Sequence, residues 1–236
     1  MSSPRLVSIQ VGLPKAYGSD GADDPMDRSW QTGFFKQPVD GPLWLGKTNL
    51  VGDGQADLVN HGGEDKALHC YAWDHYALWR AELPGCALWQ APGAFGENLS
   101  IDGLDEEAVC IGDHWRIGSA VTVVSQGRQP CFKLNLRFGI ADMAARVQNT
   151  LRAGWYLRVE QAGEIAAGDP LVLLHRPHPA FSVARVLALI RDRVTDVAQV
   201  EPVLQLPLPP SWRRLFEQRL NSAQVEDWSR RLWGPR

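Results

Sequence analysis

Short runs of β-branched and aromatic residues, cut apart by glycine, aspartate and proline, recur from about residue 6 to residue 175 and then stop. That pattern restricts the first part of the chain to many short strands, hence to a barrel or a sandwich. The runs occupy residues 6–11, 43–50, 121–125, 155–159 and 171–175. Two entrances to strands look alike. Gly112-Asp113 precedes a run at 114–117 and Gly168-Asp169 precedes the last run, each supplying residues that favour a turn.

One longer stripe interrupts the series. Leu68, Tyr71, Ala72, Trp79 and Leu83 approximate helical spacing. Glu64 and Asp65 stand where a helix dipole favours acids, and Pro84-Gly85 would end the element. The spacing predicts one long helix over about 65–83, and a second helix is expected over 140–148. After His175 the character changes. Arg176-Pro177-His178-Pro179 reads as a rigid linker, and Ser182 as the cap of a helix carrying Val183, Val186, Leu187, Ile190 and Val194. A further helix carries Trp212, Leu215, Phe216 and Leu220, and residues 225–233 add a last turn or helix. The expected fold is mainly β with some α. A β-barrel domain with interrupting helices covers 1–178, and a small helical domain covers 179–236.

Composition narrows the function classes. A net charge of −3 provides no general drive toward nucleic acid or an anionic membrane. No apolar run approaches the roughly 20 residues that span a bilayer, and the N-terminus carries no apolar stretch of a secretory signal. Arg213, Arg214, Arg219, Arg230 and Arg231 of the helical domain read as a solvated face. The four cysteines are irregularly spaced without a C-x-x-C, which argues against a zinc ribbon or a dithiol and points to a reducing cytoplasm. Most of the ten tryptophans are expected in the core.

Four segments could carry chemistry. The run 121–124 delivers the chain to a Gly/Pro-punctuated loop in which Arg128 and Lys133 flank Cys131. Neighbouring cations favour the thiolate, so Cys131 reads either as a reactive or metal-binding thiol or as a buried apolar cysteine. A second segment runs from Gly52-Asp53-Gly54 to Asn60-His61-Gly62-Gly63-Glu64-Asp65-Lys66. Its glycine amides could meet an anion, although Glu64 and Asp65 oppose one; His61 is a ligand, an acid/base or a loop donor. It is neither a Walker loop nor G-x-G-x-x-G. His69 and His75, six apart, would point to different faces of the predicted helix and read as structural or exposed. The third segment, Phe95-Gly96-Glu97-Asn98-Leu99, holds a carboxylate and an amide; the fourth places Lys36 in an apolar loop.

Taken in order, Gly52-Asp53-Gly54-Gln55-Ala56-Asp57, Asn60-His61-Gly62-Gly63-Glu64-Asp65-Lys66-Ala67, Phe95-Gly96-Glu97-Asn98-Leu99 and Arg128-Gln129-Pro130-Cys131-Phe132-Lys133-Leu134 resemble a MOSC domain, named for the C-terminal domain of molybdenum cofactor sulfurases. The bacterial YiiM type is similar over nearly the full length, with a MOSC β-barrel followed by three helices. The resemblance implies a pterin-based molybdenum cofactor with the metal on Cys131. Lys36, Arg128, Asn98 and Asn135 would meet its phosphate and pterin, and His61, Gly62 and Gly63 would line the same cleft. It further implies oxygen-atom transfer from N-hydroxylated compounds such as purine base analogues, with an external electron-transfer protein resetting the cofactor. No ferredoxin-like cysteine cluster is present to hold an iron–sulfur centre. Gly127, where a proline would stiffen the chain, predicts a looser cysteine loop. The alternatives are a carrier of the cofactor, or of sulfur on Cys131, and a structural protein with an inert cysteine. A homodimer is left open.

Overall fold

A computed structural model describes residues 3–24, 26–58 and 62–234. Eight strands form the main sheet: β1 (Arg5–Val11), β4 (Gln37–Val39), β6 (Leu68–Ala72), β7 (Leu99–Asp102), β8 (His114–Ile117), β9 (Ala120–Gly127), β10 (Trp155–Gln161) and β12 (Leu171–His175). Their order is β12-β8-β9-β10-β6-β7-β1-β4. Two small antiparallel pairs join β2 (Lys15–Tyr17) to β3 (Trp30–Thr32) and β5 (Leu43–Leu45) to β11 (Gly163–Ile165). All pairs are antiparallel except β6 with β7.

The sheet rolls on itself. The Leu6 amide donates to Asp169 O at 2.9 Å and the Leu171 amide to Pro4 O at 2.9 Å, joining the start of β1 to the segment that enters β12. The second half of β1 pairs instead with β4. The expected barrel is therefore a rolled sheet, with no continuous ladder of strands around it. The two Gly-Asp turns share one device. Asp113 Oδ2 accepts from the Cys110 amide at 2.9 Å and Asp169 Oδ2 from the Ala166 amide at 2.8 Å, each three residues back.

The predicted helix over 65–83 is corrected. Residues Glu64–Lys66 form one 3-10 turn, Leu68–Ala72 is strand β6, and only His75–Glu82 is helical, as α1. All five residues of β6 are buried. A strand covered on both faces reads as an unbroken apolar run, and such a run satisfies helical spacing by default. The second expected helix is α3 (Met143–Thr150), preceded by the short α2 (Lys133–Phe138). The strand expected over 43–50 is a tight return: β5 ends at Leu45, which bridges Leu50.

The C-terminal unit holds α4 (Val183–Arg191), α5 (Val197–Val200), α6 (Pro210–Ser222) and α7 (Ser229–Trp233). Ser182 caps α4 as expected, its hydroxyl accepting from the Arg185 amide at 3.1 Å. Arg219 does not belong to a solvated face. It is fully buried, donates to Leu189 O, Ile190 O and Val194 O at the end of α4, and forks onto Glu226 at 2.8 and 3.1 Å. A buried arginine survives because each face of its guanidinium finds an acceptor. Trp79, Trp89, Trp155 and Trp212 are core residues. Among the described residues no helix is long and apolar enough to cross a membrane.

Candidate functional site

Strand β9 ends at Gly127, and the Arg128 amide donates to Gly154 O at 2.9 Å, so the cysteine loop leaves the sheet from a pinned point. Gly127 is not a source of looseness. A Cβ there would lie 2.8 Å from the Leu187 side chain of α4, so the missing side chain lets the helical unit pack directly on the strand. The loop is then gripped from the far end of the sequence. Arg231 Nη1 donates to Pro130 O at 2.5 Å, and Arg231 O accepts from the Phe132 amide at 2.7 Å. Arg231 Nη2 donates to Gln148 Oε1 at 2.6 Å. Burial pulls the Arg231 guanidinium down to about 10, while the Cys131 and Glu226 charges oppose that fall. Cys131 itself is half-buried.

The thiol lies at the edge of a narrow cleft of about 90 Å³, lined also by Lys36, His69, Asn98, Arg128 and Tyr156. Lys36, Asn98, Arg128 and Cys131, predicted from three separate segments, thus come together. Their states differ. Lys36 is buried and paired with Asp53, whose Oδ1 also accepts from the Gly12 amide at 2.9 Å. Burial lowers the Lys36 pKa, and Asp53 resists that fall. Asn98 Nδ2 donates to Asp53 Oδ2 at 2.9 Å and to Gln10 O at 3.2 Å, and its Oδ1 accepts from the His69 amide at 3.1 Å. Glu97 accepts from the Tyr76 hydroxyl, the Gly93 and Phe95 amides and the Ser100 hydroxyl at 2.6–3.0 Å, which locks the 93–98 loop rather than activating anything in the cleft.

Arg128 is the exception. It is buried, yet its Nη1 has no hydrogen-bond partner among the described residues. A desolvated guanidinium with an open N–H is an acceptor-seeking group. Burial, then the Arg128 charge, hold the His69 pKa well below the ordinary histidine value, so this ring faces the cleft uncharged. Burial raises the Tyr156 pKa against Arg128.

Other expected residues lie elsewhere. Asn135 does not line the cleft: its amide donates to Leu232 O at 2.9 Å and accepts from the Ala144 amide at 2.8 Å, stitching α2 and α3 to the C-terminal segment. Gly62 and Gly63 are not among the lining residues either; Gly62 packs on Leu58 and Gly63 opens the 3-10 turn. His61 lies outside the described residues. His75 is bound at 2.6 Å to Glu106, a structural pair. Four cleft or loop residues went unassigned in the sequence: His69, because it was placed on a helix; Tyr156, in a strand; Asp53, whose place between two glycines was the one usable signal; and Arg231, a hundred residues away.

A MOSC domain matches over residues 57–172, and a YiiM-like 3-alpha helix domain over 181–223. Protein YiiM of Escherichia coli is 44 % identical over 201 residues, covering 84 % of this chain and 89 % of that protein. The chain belongs to the MOSC-domain family, of the YiiM type. The crystal structure of YiiM from Escherichia coli aligns with a TM-score of 0.78 at 36 % identity, over 98 % of this chain and 99 % of that one. A Gibberella moniliformis protein named "Reductase" is 41 % identical over 191 residues, which are 80 % of this chain but 34 % of that protein. The MOSC match contains Cys131, Arg128, Asn98 and His69, whereas Lys36, Asp53 and the Arg231 grip lie outside both matches.

The residues fit a molybdenum cofactor by their chemistry. Among the described residues no three His, Cys, Asp or Glu side chains gather to hold a metal. Cys131 offers a soft sulfur donor, which suits a metal whose other ligands come from a bound organic group. The open Arg128 Nη1 suits the phosphate of such a group.

Proposed function

We propose that this chain is a molybdenum-cofactor-dependent reductase of N-hydroxylated small molecules, N-hydroxylated purine base analogues among them. The observation that carries the reading is the pairing of a half-buried thiol with a buried guanidinium left open in the same cleft. Family membership and the relative named "Reductase" support it.

When bound, the cofactor supplies the two-electron exchange and the acceptor for the oxygen atom. Everything else falls to the chain. Cys131 would ligate the metal as thiolate, with the Arg128, Lys133 and Arg231 charges favouring that form. Arg128 would hold the phosphate. The Lys36–Asp53–Asn98 frame keeps the opposite wall rigid, and the neutral His69 adds no competing charge. The net change takes R–NH–OH, two electrons and two protons to R–NH2 and water. The electrons come from an external electron-transfer protein. Cytoplasmic residence accords with four cysteines that form no disulfide among the described residues.

The test is turnover of an N-hydroxylated purine by cofactor-loaded chain with a low-potential dye as reductant. Wild type is expected to form the amine and Cys131→Ala to lose it. Equal turnover by a cofactor-free preparation overturns the reading, and bound cofactor without turnover favours the carrier role.

A further inference from the structure

A second and larger cavity, of about 740 Å³, also reaches Cys131. It shares Asp57, Lys66, Gln129, Lys133 and Tyr156 with the inner cleft, and part of its remaining wall comes from the helical unit: Arg214 on α6, Arg230 and Arg231 on α7. Five cations (Lys66, Lys133, Arg214, Arg230, Arg231) line it against Asp57 and Asp227, in a chain whose net charge is −3. A concave wall with an excess of cations concentrates an anionic ligand. No hydrogen bond or ion pair among the described residues engages the Arg214 or Arg230 side chain.

The lining divides by chemistry. Phe132 and Gln129 come from the loop that carries the thiol, and Tyr156, which feels the Cys131 charge, pairs across the sheet with Gln126. Gln126 is 3 % exposed, and its Oε1 accepts no hydrogen bond among the described residues. Aromatic faces and amides suit a planar heteroaromatic ring with N–H edges. The α6 and α7 arginines suit a phosphate.

We propose that this cavity is the substrate subsite and that it takes the N-hydroxylated base as its nucleoside monophosphate, base toward Cys131 and phosphate on Arg214 and Arg230. The assignment rests on the reductase reading, but its test does not need the metal. The probe is adenosine 5′-monophosphate, with adenosine and inorganic phosphate as controls, titrated calorimetrically into the cofactor-free chain. The monophosphate is expected to bind about tenfold or more tightly than adenosine, and Arg214→Glu/Arg230→Glu to lose about that factor for the monophosphate alone. Both arginines are exposed, so an unchanged unfolding midpoint is expected of the double variant. Equal affinity for adenosine overturns the proposal, as does inorganic phosphate competing as strongly as the nucleotide, which would leave a general anion site. Cofactor-loaded chain is expected to keep nucleotide binding; its loss on loading would give the cavity to the cofactor's own phosphate and overturn the subsite. If the chain takes up no molybdenum while the nucleotide pattern holds, the reductase reading falls and the cavity stands as a nucleotide site only.

Discussion

The two walls of the cleft are built on opposite principles. On one, Lys36, Asp53, Asn98 and Glu97 are buried and bound to one another or to nearby backbone. On the other, Arg128 is buried with an open N–H beside a half-buried thiol, and the loop that carries them is held by Arg231 from the end of the chain. A satisfied polar network stabilises and rigidifies; a partly satisfied one holds a place for something else. On the proposed reading the first wall is scaffold and the second is the working surface. Substitutions should therefore cost stability on the first and ligand on the second.

The largest stability loss is expected of Asp53→Ala, which strands the buried Lys36 charge and one Asn98 donor. Urea unfolding should show about 3–5 kcal/mol lost at neutral pH. The pH dependence has a definite sign. Lys36 already titrates below its ordinary 10.5 because of burial, and removing Asp53 lowers it further. Between the folded and unfolded values the unfolded chain binds the extra proton, so stability of the variant should climb back as pH rises toward 10.5. A loss that stays flat with pH would break the assignment of Lys36 as the stranded charge.

Glu97→Gln comes next. It keeps the shape of the carboxylate but turns one of its acceptor atoms into a donor facing amides and hydroxyls, for about 1–3 kcal/mol by the same measurement. Arg231→Gln is expected to cost about 1–2 kcal/mol through the Pro130 and Gln148 contacts. Its distinctive readout is the thiol. With a cation removed from beside Cys131, the pH profile of Cys131 alkylation should move to higher pH, which loosened packing alone would not require. The smallest stability effects are expected of Arg128→Gln and Cys131→Ala, each under about 1 kcal/mol, since the Arg128 guanidinium is only partly satisfied and Cys131 is half-buried. A large destabilisation in Arg128→Gln would erase the contrast between the walls.

Much of this was readable from the sequence, and the exceptions share a cause. Strands β1, β9, β10 and β12 fell where the runs predicted, because β-branched residues there end at strong turn signals. Strand β6 was lost because both its faces are covered, and His69 was lost with it. Cys131, Arg128, Lys36 and Asn98 were visible because each sits in a distinctive local segment. Arg231 reads in sequence as part of a solvated face because its partner Pro130 lies 101 residues away. Gln126 was invisible for the same reason: an unmet hydrogen bond is a property of the packed chain, not of a segment.

The most direct test of the central claim is molybdenum per chain after expression in a host that makes the pterin cofactor. Wild type, Arg128→Gln and Cys131→Ala should be compared with their folded fractions. Near-stoichiometric metal in wild type, lost in Cys131→Ala and reduced in Arg128→Gln with all three folded, is the predicted result. Equal metal in Cys131→Ala, or none in wild type while the host's own molybdoenzymes are loaded, would contradict it.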